Sequence, residues 1–438
     1  MLDFLTLDFL KNDKFRKITV LVCRILLGIV FIFSGYAKAV DPLGGTYKIE
    51  DYLTAFEMDF FIPIALIAAV ILSSLEFLLG ICMLLGANIR STSFLTLVFM
   101  CVMTPLTLYI ALYNPVTDCG CFGDALKISN WATFWKNVVF ITMAIIVFVW
   151  RKHSPSLFTQ RTEWLISIYS GFFAIAISAY CYYNLPIIDF RPYKNGTEIA
   201  KSMEYPEGAE KPVYDVTFIY EKNGVQKEFT LENYPTKDDT TWKFVDQKSV
   251  LIKEGYEPPI HDLTMEDPDE GDILEDVLAD TSYTFWLVSY RVDRANTSNR
   301  KKINAAYEFA REHGYRFYGF TSTGLESREM REYIVEASAE YPFVNTDEIT
   351  LKTIIRSNPG LVLIKNGVIV NKWSNKNIPT FDKPLEQSVH GVVQAPDKTR
   401  VVILSIIAFI IPLILIYFFD KLVSKFLDKK AKESNAQA

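Results

Sequence analysis

Asp118-Cys119-Gly120-Cys121-Phe122-Gly123-Asp124 is a short polar stretch between two apolar runs, residues 93–113 and 131–150, each long enough to cross a bilayer. Two thiols one residue apart serve as ligands, as a nucleophile or as a disulfide, and the compartment they face decides which. Working outward, residues 18–36, 61–86, 164–183 and 401–419 have the same length and character. At 1.5 Å rise per residue, about 20 residues cover roughly 30 Å of hydrocarbon, so the pattern predicts six transmembrane helices. Tryptophan or tyrosine closes at least one end of five of them, as side chains that favour the headgroup zone do. Residues 18–33 followed by Ala37-Lys38-Ala39 also have the form of a signal peptide and its cleavage site. The next segment emerges on the same side under either reading.

Half of the 438 residues are hydrophobic, yet 22% are charged, a mixture that fits membrane spans joined to a water-soluble part. Acids outnumber bases by 51 to 45 and no basic stripe lies outside the membrane flanks, which argues against nucleic acid as a partner. The partner indicated directly is the lipid membrane. The six cysteines (Cys23, Cys82, Cys101, Cys119, Cys121, Cys181) all precede residue 182, so thiol chemistry belongs to the membrane half.

Charge sets the expected orientation. Lys11, Lys14, Arg16 and Lys17 precede the first run, Arg90 follows the second, Arg151, Lys152 and Arg161 follow the fourth, and five lysines follow residue 419. The alternate loops hold only Lys38, Lys48 and Lys127 beside many acids. The positive-inside rule then predicts a multi-pass protein of the bacterial inner membrane with both termini cytoplasmic. Lys398 and Arg400 stand against the rule, but a long domain before them weakens their vote. The dithiol loop and residues 184–398 are expected in the periplasm, an oxidising compartment.

Cα atoms of residues i and i+2 are at most about 7 Å apart, so a Cys119–Cys121 disulfide is feasible but strained. Strain makes a pair a good disulfide donor or shuffler. Gly120 and Gly123 permit the positive φ that so small a ring needs. A structural staple would constrain almost no chain, and a metal site would need two more ligands where the four histidines are distant, so no metal is expected. Redox chemistry at Cys119 and Cys121 fits best, supported by Asp118, Gly120, Phe122 and Gly123. Cys181, at the outer end of the fifth run, is a candidate resolving thiol, with an inert interfacial cysteine as the alternative; Cys23, Cys82 and Cys101 read as core thiols.

Arg24, Glu76 and Lys38 are charges within or at the ends of apolar runs, and an unpaired charge at such depth costs about 2.5–3.5 kcal/mol or more. A Glu76–Arg24 pair is expected, either to fix helix register or to serve a quinone site or proton relay.

The long extramembrane region divides in two. Residues 185–257 read as β-rich, with strands at 213–220 and 225–231 about Lys222-Asn223-Gly224. From residue 258, strand and helix alternate: strand 283–290, helix 300–313 stopped by Gly314, strand 315–321, helix 327–338, then two strands about Asn366-Gly367. The acidic stretch 266–272 reads as solvated linker.

The dithiol phrase resembles that of MauE-type membrane proteins, which stand with the DoxX-like four-helix group. Arg24-Ile-Leu-Leu-Gly28-Ile-Val-Phe31-Ile-Phe-Ser34-Gly35-Tyr-Ala-Lys38 is similar to the DoxX opening pattern, and Glu76-Phe-Leu-Leu-Gly80 with Leu84-Leu-Gly86 to its second-helix pattern. The resemblance covers about residues 15–150. It implies help in forming disulfides of a periplasmic protein in methylamine utilisation, and the DoxX relation implies quinone as onward electron acceptor. Residues 258–380 resemble the thioredoxin-like fold, with Pro359 at its cis-proline position. Where a redox-active member carries Cys-x-x-Cys, this chain reads Tyr290-Arg-Val-Asp-Arg294, so the resemblance implies a module that binds a polypeptide client along a Pro359 edge strip, or that caps the membrane part.

The expected architecture is a multi-span α-helical membrane protein, a DoxX/MauE-like four-helix bundle plus two further spans, with an extracytoplasmic α/β thioredoxin-like domain. Its parts are the bundle (1–155), a fifth span (156–184), a β-rich region (185–257), the α/β domain (258–395), a sixth span (400–420) and a basic tail (421–438). The expected function is a thiol–disulfide oxidoreductase or electron relay acting on periplasmic protein thiols. The alternatives are a non-catalytic scaffold that binds a periplasmic client, and a quinol-oxidase subunit.

Overall fold

The computed structural model describes residues 12–116, 118–222, 225–230, 241–253, 255–387 and 398–437. The membrane part contains α1 (Asp13–Val40), α2 (Pro42–Ala55), α3 (Ala65–Leu85), α4 (Ile89–Tyr113), α5 (Asn130–Val149) and α6 (Glu163–Asn184). All of these except α2 are long and apolar enough to span, as is the last helix of the chain, so this is a multi-pass membrane protein. Local chemistry fixes the ends. Asn12 caps α1 by accepting from Lys14 N and Phe15 N, Asp41 caps α2 with Pro42 in its first turn, and α3 stops at Gly86 with φ 74°.

Glycines set how α1 meets α3. A Cβ on Gly35 would fall 2.3 Å from Phe77 N, one on Gly80 2.5 Å from Ile32 N, and one on Gly28 2.9 Å from Leu84 N. In lipid no hydrophobic effect pulls helices together, so small residues that admit close backbones do that work. These contacts fix the antiparallel register. Glu76 lies level with position 36 and pairs with Lys38, whose Nζ is 2.7 Å from Oε1. Arg24 lies level with position 88, at the other end, and donates to Ser154 Oγ at 2.8 Å and to the Pro155 carbonyl. The expected Glu76–Arg24 pair is therefore corrected: the helices are in antiparallel register, and Arg24 holds the loop before α6 instead.

Beyond α6 the chain forms β1 (Val213–Lys222), β2 (Val225–Thr230) and β3 (Lys243–Lys253), a separate sheet in the order β2-β1-β3. The Asn223-Gly224 turn lies outside the described residues. The α/β domain follows, with β4 (Glu266–Asp267), β5 (Gly271–Asp272), β6 (Tyr283–Val288), α7 (Arg300–Glu312), β7 (Arg316–Thr321), α8 (Arg328–Ala337), β8 (Phe343–Asn345), α9 (Glu348–Ile354), β9 (Gly360–Lys365) and β10 (Val368–Ser374). The chain closes with α10 (Lys398–Gln437). Sheet order is β10-β9-β6-β7-β8-β4-β5, with β6, β7 and β8 parallel, β9 antiparallel to β6, and β10 antiparallel to β9.

Strand alternation makes two cores, Trp286, Val288, Phe320, Val362 and Ile364 on one face and Phe285, Leu287, Phe317, Leu361 and Leu363 on the other. The turn between β9 and β10 has positive φ at Asn366 (50°) and Gly367 (68°), as a two-residue hairpin of this kind requires. Two expectations change. Tyr193 and Ile199 belong to the first core, and Lys372 Nζ bonds Asp189 Oδ2 at 2.6 Å, so the packing does not divide at residue 257. The acidic stretch 266–272 forms the small edge hairpin β4–β5 rather than a linker.

Replacing Gly35 by valine drives side-chain atoms into the Phe77 backbone and is expected to cost about 1–3 kcal/mol, read as a lower unfolding temperature of the detergent-solubilised protein. Gly324→Ala, whose added methyl meets nothing within 4 Å, should leave that temperature unchanged.

Candidate functional site

The loop between α4 and α5 is folded by its own side chains. Asp118 Oδ1 accepts from Gly120 N at 2.8 Å, and Gly123 N donates to Gly120 O at 3.0 Å. Gly120 (φ 64°) and Gly123 (φ 56°) take the left-handed conformations this turn needs. The result places Cys119 Sγ and Cys121 Sγ 2.7 Å apart, as free thiols in hydrogen-bond contact.

The loop is held from α1, α2 and α5. Lys48 Nζ of α2 is 3.0 Å from Asp118 Oδ2, and Tyr52 OH donates to the Cys119 carbonyl at 2.9 Å. Phe122 lies under Lys136 Nζ of α5 at 4.3 Å and beside Phe33 of α1. Ser34 Oγ is 2.6 Å from both the Cys121 carbonyl and Glu76 Oε2. A hydroxyl has one proton to donate, so the loop and the intramembrane ion pair compete for it.

The two sulfurs open on different spaces. Cys121 borders a cavity of about 40 Å³ with Ser34, Lys38, Glu76, Lys136 and Asn137. Cys119, packed against Ile110 and Val116, borders a cleft of about 150 Å³ with Lys48, Tyr52 and Asp124. Lys38 lines both. The electrostatics differ accordingly. The Cys119 thiol donating to Cys121 Sγ, helped by the Lys136 and Lys38 ammoniums, holds the Cys121 thiol down to about 6. Cys119 is pushed well above the usual thiol range, because its proton is held on Cys121 and the side chain is buried.

Arg356, between α9 and β9, joins the α/β domain to this loop. Its Nε is 3.0 Å from Asp41 Oδ2 at the start of α2, its Nη2 is 2.7 Å from Asp124 Oδ2, and its Nη1 donates to Lys352 O at 2.6 Å. Its guanidinium lies 5.2 Å from the centre of the Tyr47 ring, which meets Tyr290 edge-on at 6.2 Å. Gly44 is required here, since a Cβ on it would sit 2.9 Å from Arg356 Nη2. The contact puts the α/β domain and the dithiol loop on one side of the membrane.

Two site residues are placed otherwise than expected. Pro359, after the cis Asn358–Pro359 peptide, is buried and leads β9, which lies between β6 and β10. The Asn358 carbonyl is taken by Asn296 N at 2.9 Å, so no free edge strip exists there. Cys181 is buried with Val40 and Ile187, in a cluster separate from that of Cys119. Ser34, Asp41, Lys48, Tyr52, Asp124, Lys136 and Arg356 are additional residues of the site. Asp124 closes the quoted motif, and Arg356 follows the apolar Ile354-Ile355, three residues before Pro359. Among the described residues no group of three or more His, Cys, Asp or Glu could hold a metal ion.

Residues 16–150 match the family model described as methylamine utilisation protein MauE, and residues 214–254 match a domain of unknown function (DUF8463). No curated protein and no solved structure matches the chain.

Arg356→Ala leaves the Asp41 and Asp124 carboxylates without their cation and is expected to cost about 3–5 kcal/mol of docking. Limited proteolysis of the full chain in lipid nanodiscs should then cut faster between α6 and α10. Arg356→Lys should restore protection only in part, because an ammonium cannot fork to two carboxylates.

Proposed function

We propose, from the match of residues 16–150 to the MauE family model, that the protein is a thiol–disulfide oxidoreductase that closes disulfides in extracytoplasmic client proteins through Cys119 and Cys121. The observation that carries this reading is the sulfur pair itself, 2.7 Å apart in a loop whose Cys121 faces Lys38 and Lys136. The family's name attaches it to methylamine utilisation, and maturation of a periplasmic partner by disulfide formation is the form we assign to that role here. Both termini are placed in the cytoplasm on the charge distribution.

The reaction begins from the oxidised loop. A client thiolate attacks Cys119 Sγ, forming a mixed disulfide and breaking the Cys119–Cys121 bond. Cys121 leaves as a thiolate, which the Lys38 and Lys136 ammoniums stabilise; the sulfur with the lower pKa is the better leaving group. A second client thiolate then attacks the client sulfur and expels Cys119. The client loses two electrons and gains a disulfide, the loop gains two electrons, and the two protons of the client thiols balance the loop dithiol.

Quinone does not fit the residues at Cys121 as they stand. The cavity of about 40 Å³ holds a water or two, so no step is routed through a quinone. The α/β domain is read as thioredoxin-like on its β-α-β-α-β order. Residues 290–294, the place of the absent Cys-x-x-Cys, stand against α2 through Tyr290 and Tyr47. A domain without cysteines in that position supplies binding, and the membrane loop supplies the sulfur chemistry.

Mass-tagged alkylation on isolated membranes should show the Cys119–Cys121 pair shifting between oxidised and reduced with respiration. In Cys121→Ser the remaining Cys119 thiolate should attack a client disulfide, expel one client thiolate and hold the client as a mixed disulfide, the reverse of the second step. A pair fixed in one state under all conditions means a scaffold instead. The pH dependence has a definite sign. A lowered thiol pKa keeps Cys121 as thiolate above about pH 6 and loses it below, so its alkylation should rise through pH 6. Cys119→Ala removes the main cause and should move the midpoint up toward the ordinary value of about 8.5.

A further inference from the structure

Cys119, the sulfur that a client thiolate has to reach, is only 8% exposed. It packs with Ile110 and Val116, and Leu106 and Tyr52 lie against this cluster. Leu106 and Ile110 belong to α4, a helix long and apolar enough to span, and Val116 begins the loop itself. Tyr52 comes from α2, which has 14 residues, carries Lys48, Glu50 and Asp51, and is too short and polar to span. Among the elements that bury Cys119, α2 is therefore the one not fixed by the bilayer.

Helical spacing gives α2 two working faces. Gly44, Gly45, Lys48, Ile49 and Tyr52 form one wall of the cleft of about 150 Å³ at Cys119. On this face Lys48 pairs with Asp118 and Tyr52 donates to the Cys119 carbonyl. The Lys48 stem lies over Gly120 so closely that a Cβ there would be 3.1 Å from its Cγ. Leu43, Tyr47 and Glu50 form the other face. Leu43 shares a cavity wall with Tyr290 and Arg294, and Tyr47 stands against Tyr290 with Lys352 Nζ 4.5 Å from its ring centre. Glu50 lies in the field of the Lys352 and Arg294 cations. One helix thus separates the dithiol loop from the α/β domain.

The two faces are not held equally. A partly exposed ion pair and one hydrogen bond tie α2 to the loop, and contacts of that kind contribute little. The α/β domain adds the buried Arg356–Asp41 pair and the cations and ring around Tyr47. Both ends of α2 have the form of a hinge. Asp41 closes α1 and caps α2 with no residue between, and Glu57 takes φ 58°, uncommon for a residue with a side chain, just past the C-cap Phe56. Hinges are drawn from such element-terminal positions.

We propose that α2 is a hinged cover over Cys119, held shut by the α/β domain through Tyr47 and Asp41, and that it lifts as a unit before a partner sulfur reaches the loop. With the cover shut, the space beside Cys119 is the cleft of about 150 Å³, below the roughly 300 Å³ at which ligand pockets begin and too small for a protein client. The use of the movement in client oxidation rests on the oxidoreductase reading, but the movement itself needs no sulfur chemistry.

The test follows alkylation of reduced Cys119 in the Cys121→Ser variant of the full chain in nanodiscs, with a maleimide carrying a long polyethylene glycol chain. Peptide mass spectrometry assigns the site, the buried Cys181 serves as internal reference, and Gly324→Cys supplies an exposed thiol for comparison. Where opening limits the reaction, its rate follows the population of the open form. Cys119 should react slower than the exposed thiol by about tenfold or more. Tyr47→Ala should speed it by about tenfold with Cys181 unchanged, and Tyr47→Phe, which keeps the ring, should not. Tyr290→Ala removes the same contact from the domain side and should act as Tyr47→Ala does, so the outcome does not depend on one variant folding. The proposal is overturned if Cys119 reacts as fast as the exposed thiol or if neither alanine variant changes its rate. It is also overturned if Cys181 speeds up in step with Cys119, which marks general loosening. If the cover behaves as expected while the sulfur pair never changes state in membranes, the oxidoreductase reading fails and this one stands. If the pair cycles while the alanine variants have no effect, the reverse holds.

Discussion

The absence of side chains at positions 28, 35 and 80 lets the first and third helices touch backbone to backbone, and the rest of the site is built on that contact. It sets Glu76 beside Lys38 and Ser34 instead of beside Arg24. From there Ser34 reaches the Cys121 carbonyl, so the dithiol loop is seated on a charge pair inside the helical bundle. A shift of one residue along either helix would turn Glu76 by about 100° and leave a carboxylate facing lipid. Register and the surroundings of the two cysteines are thus one property of the bundle.

Arg356 applies the same principle outside the helices. Burying a guanidinium is costly unless good geometry and further hydrogen bonds offset the desolvation. Here two carboxylates and a backbone carbonyl surround it, with Tyr47 on one face. One carboxylate belongs to the dithiol phrase and the other starts α2, so the sheet domain is fixed by reference to the loop. The fork of a guanidinium suits this task because it addresses two acceptors at set angles.

Much of the fold was legible in the sequence. The spanning helices follow from length and composition, and β6, α7, β7, α8 and the β9–β10 hairpin from periodicity and from turn residues such as Asn366-Gly367. Those signals are local. The partner of Glu76 was not legible, because helix register depends on where glycines of two distant segments meet. Nor was Arg356, whose partners lie more than two hundred positions away in sequence. Nor does the sequence show that Tyr193 and Ile199, ahead of the β-rich strands, complete a core whose strands begin far downstream. Of the site, the two cysteines and their glycines were readable as a motif. The side chains that give each sulfur its own electrostatic setting come from α1, α2 and α5 and are visible only in three dimensions.

The sheet domain enters from α6 and leaves through α10, two helices anchored in the same bilayer. A module moored at both ends cannot drift away when its ion cluster opens. Re-docking is then a unimolecular event at a high effective concentration set by the connecting chain, not by the amount of protein in the membrane. The interface can accordingly be remade after any opening without the partner ever being lost.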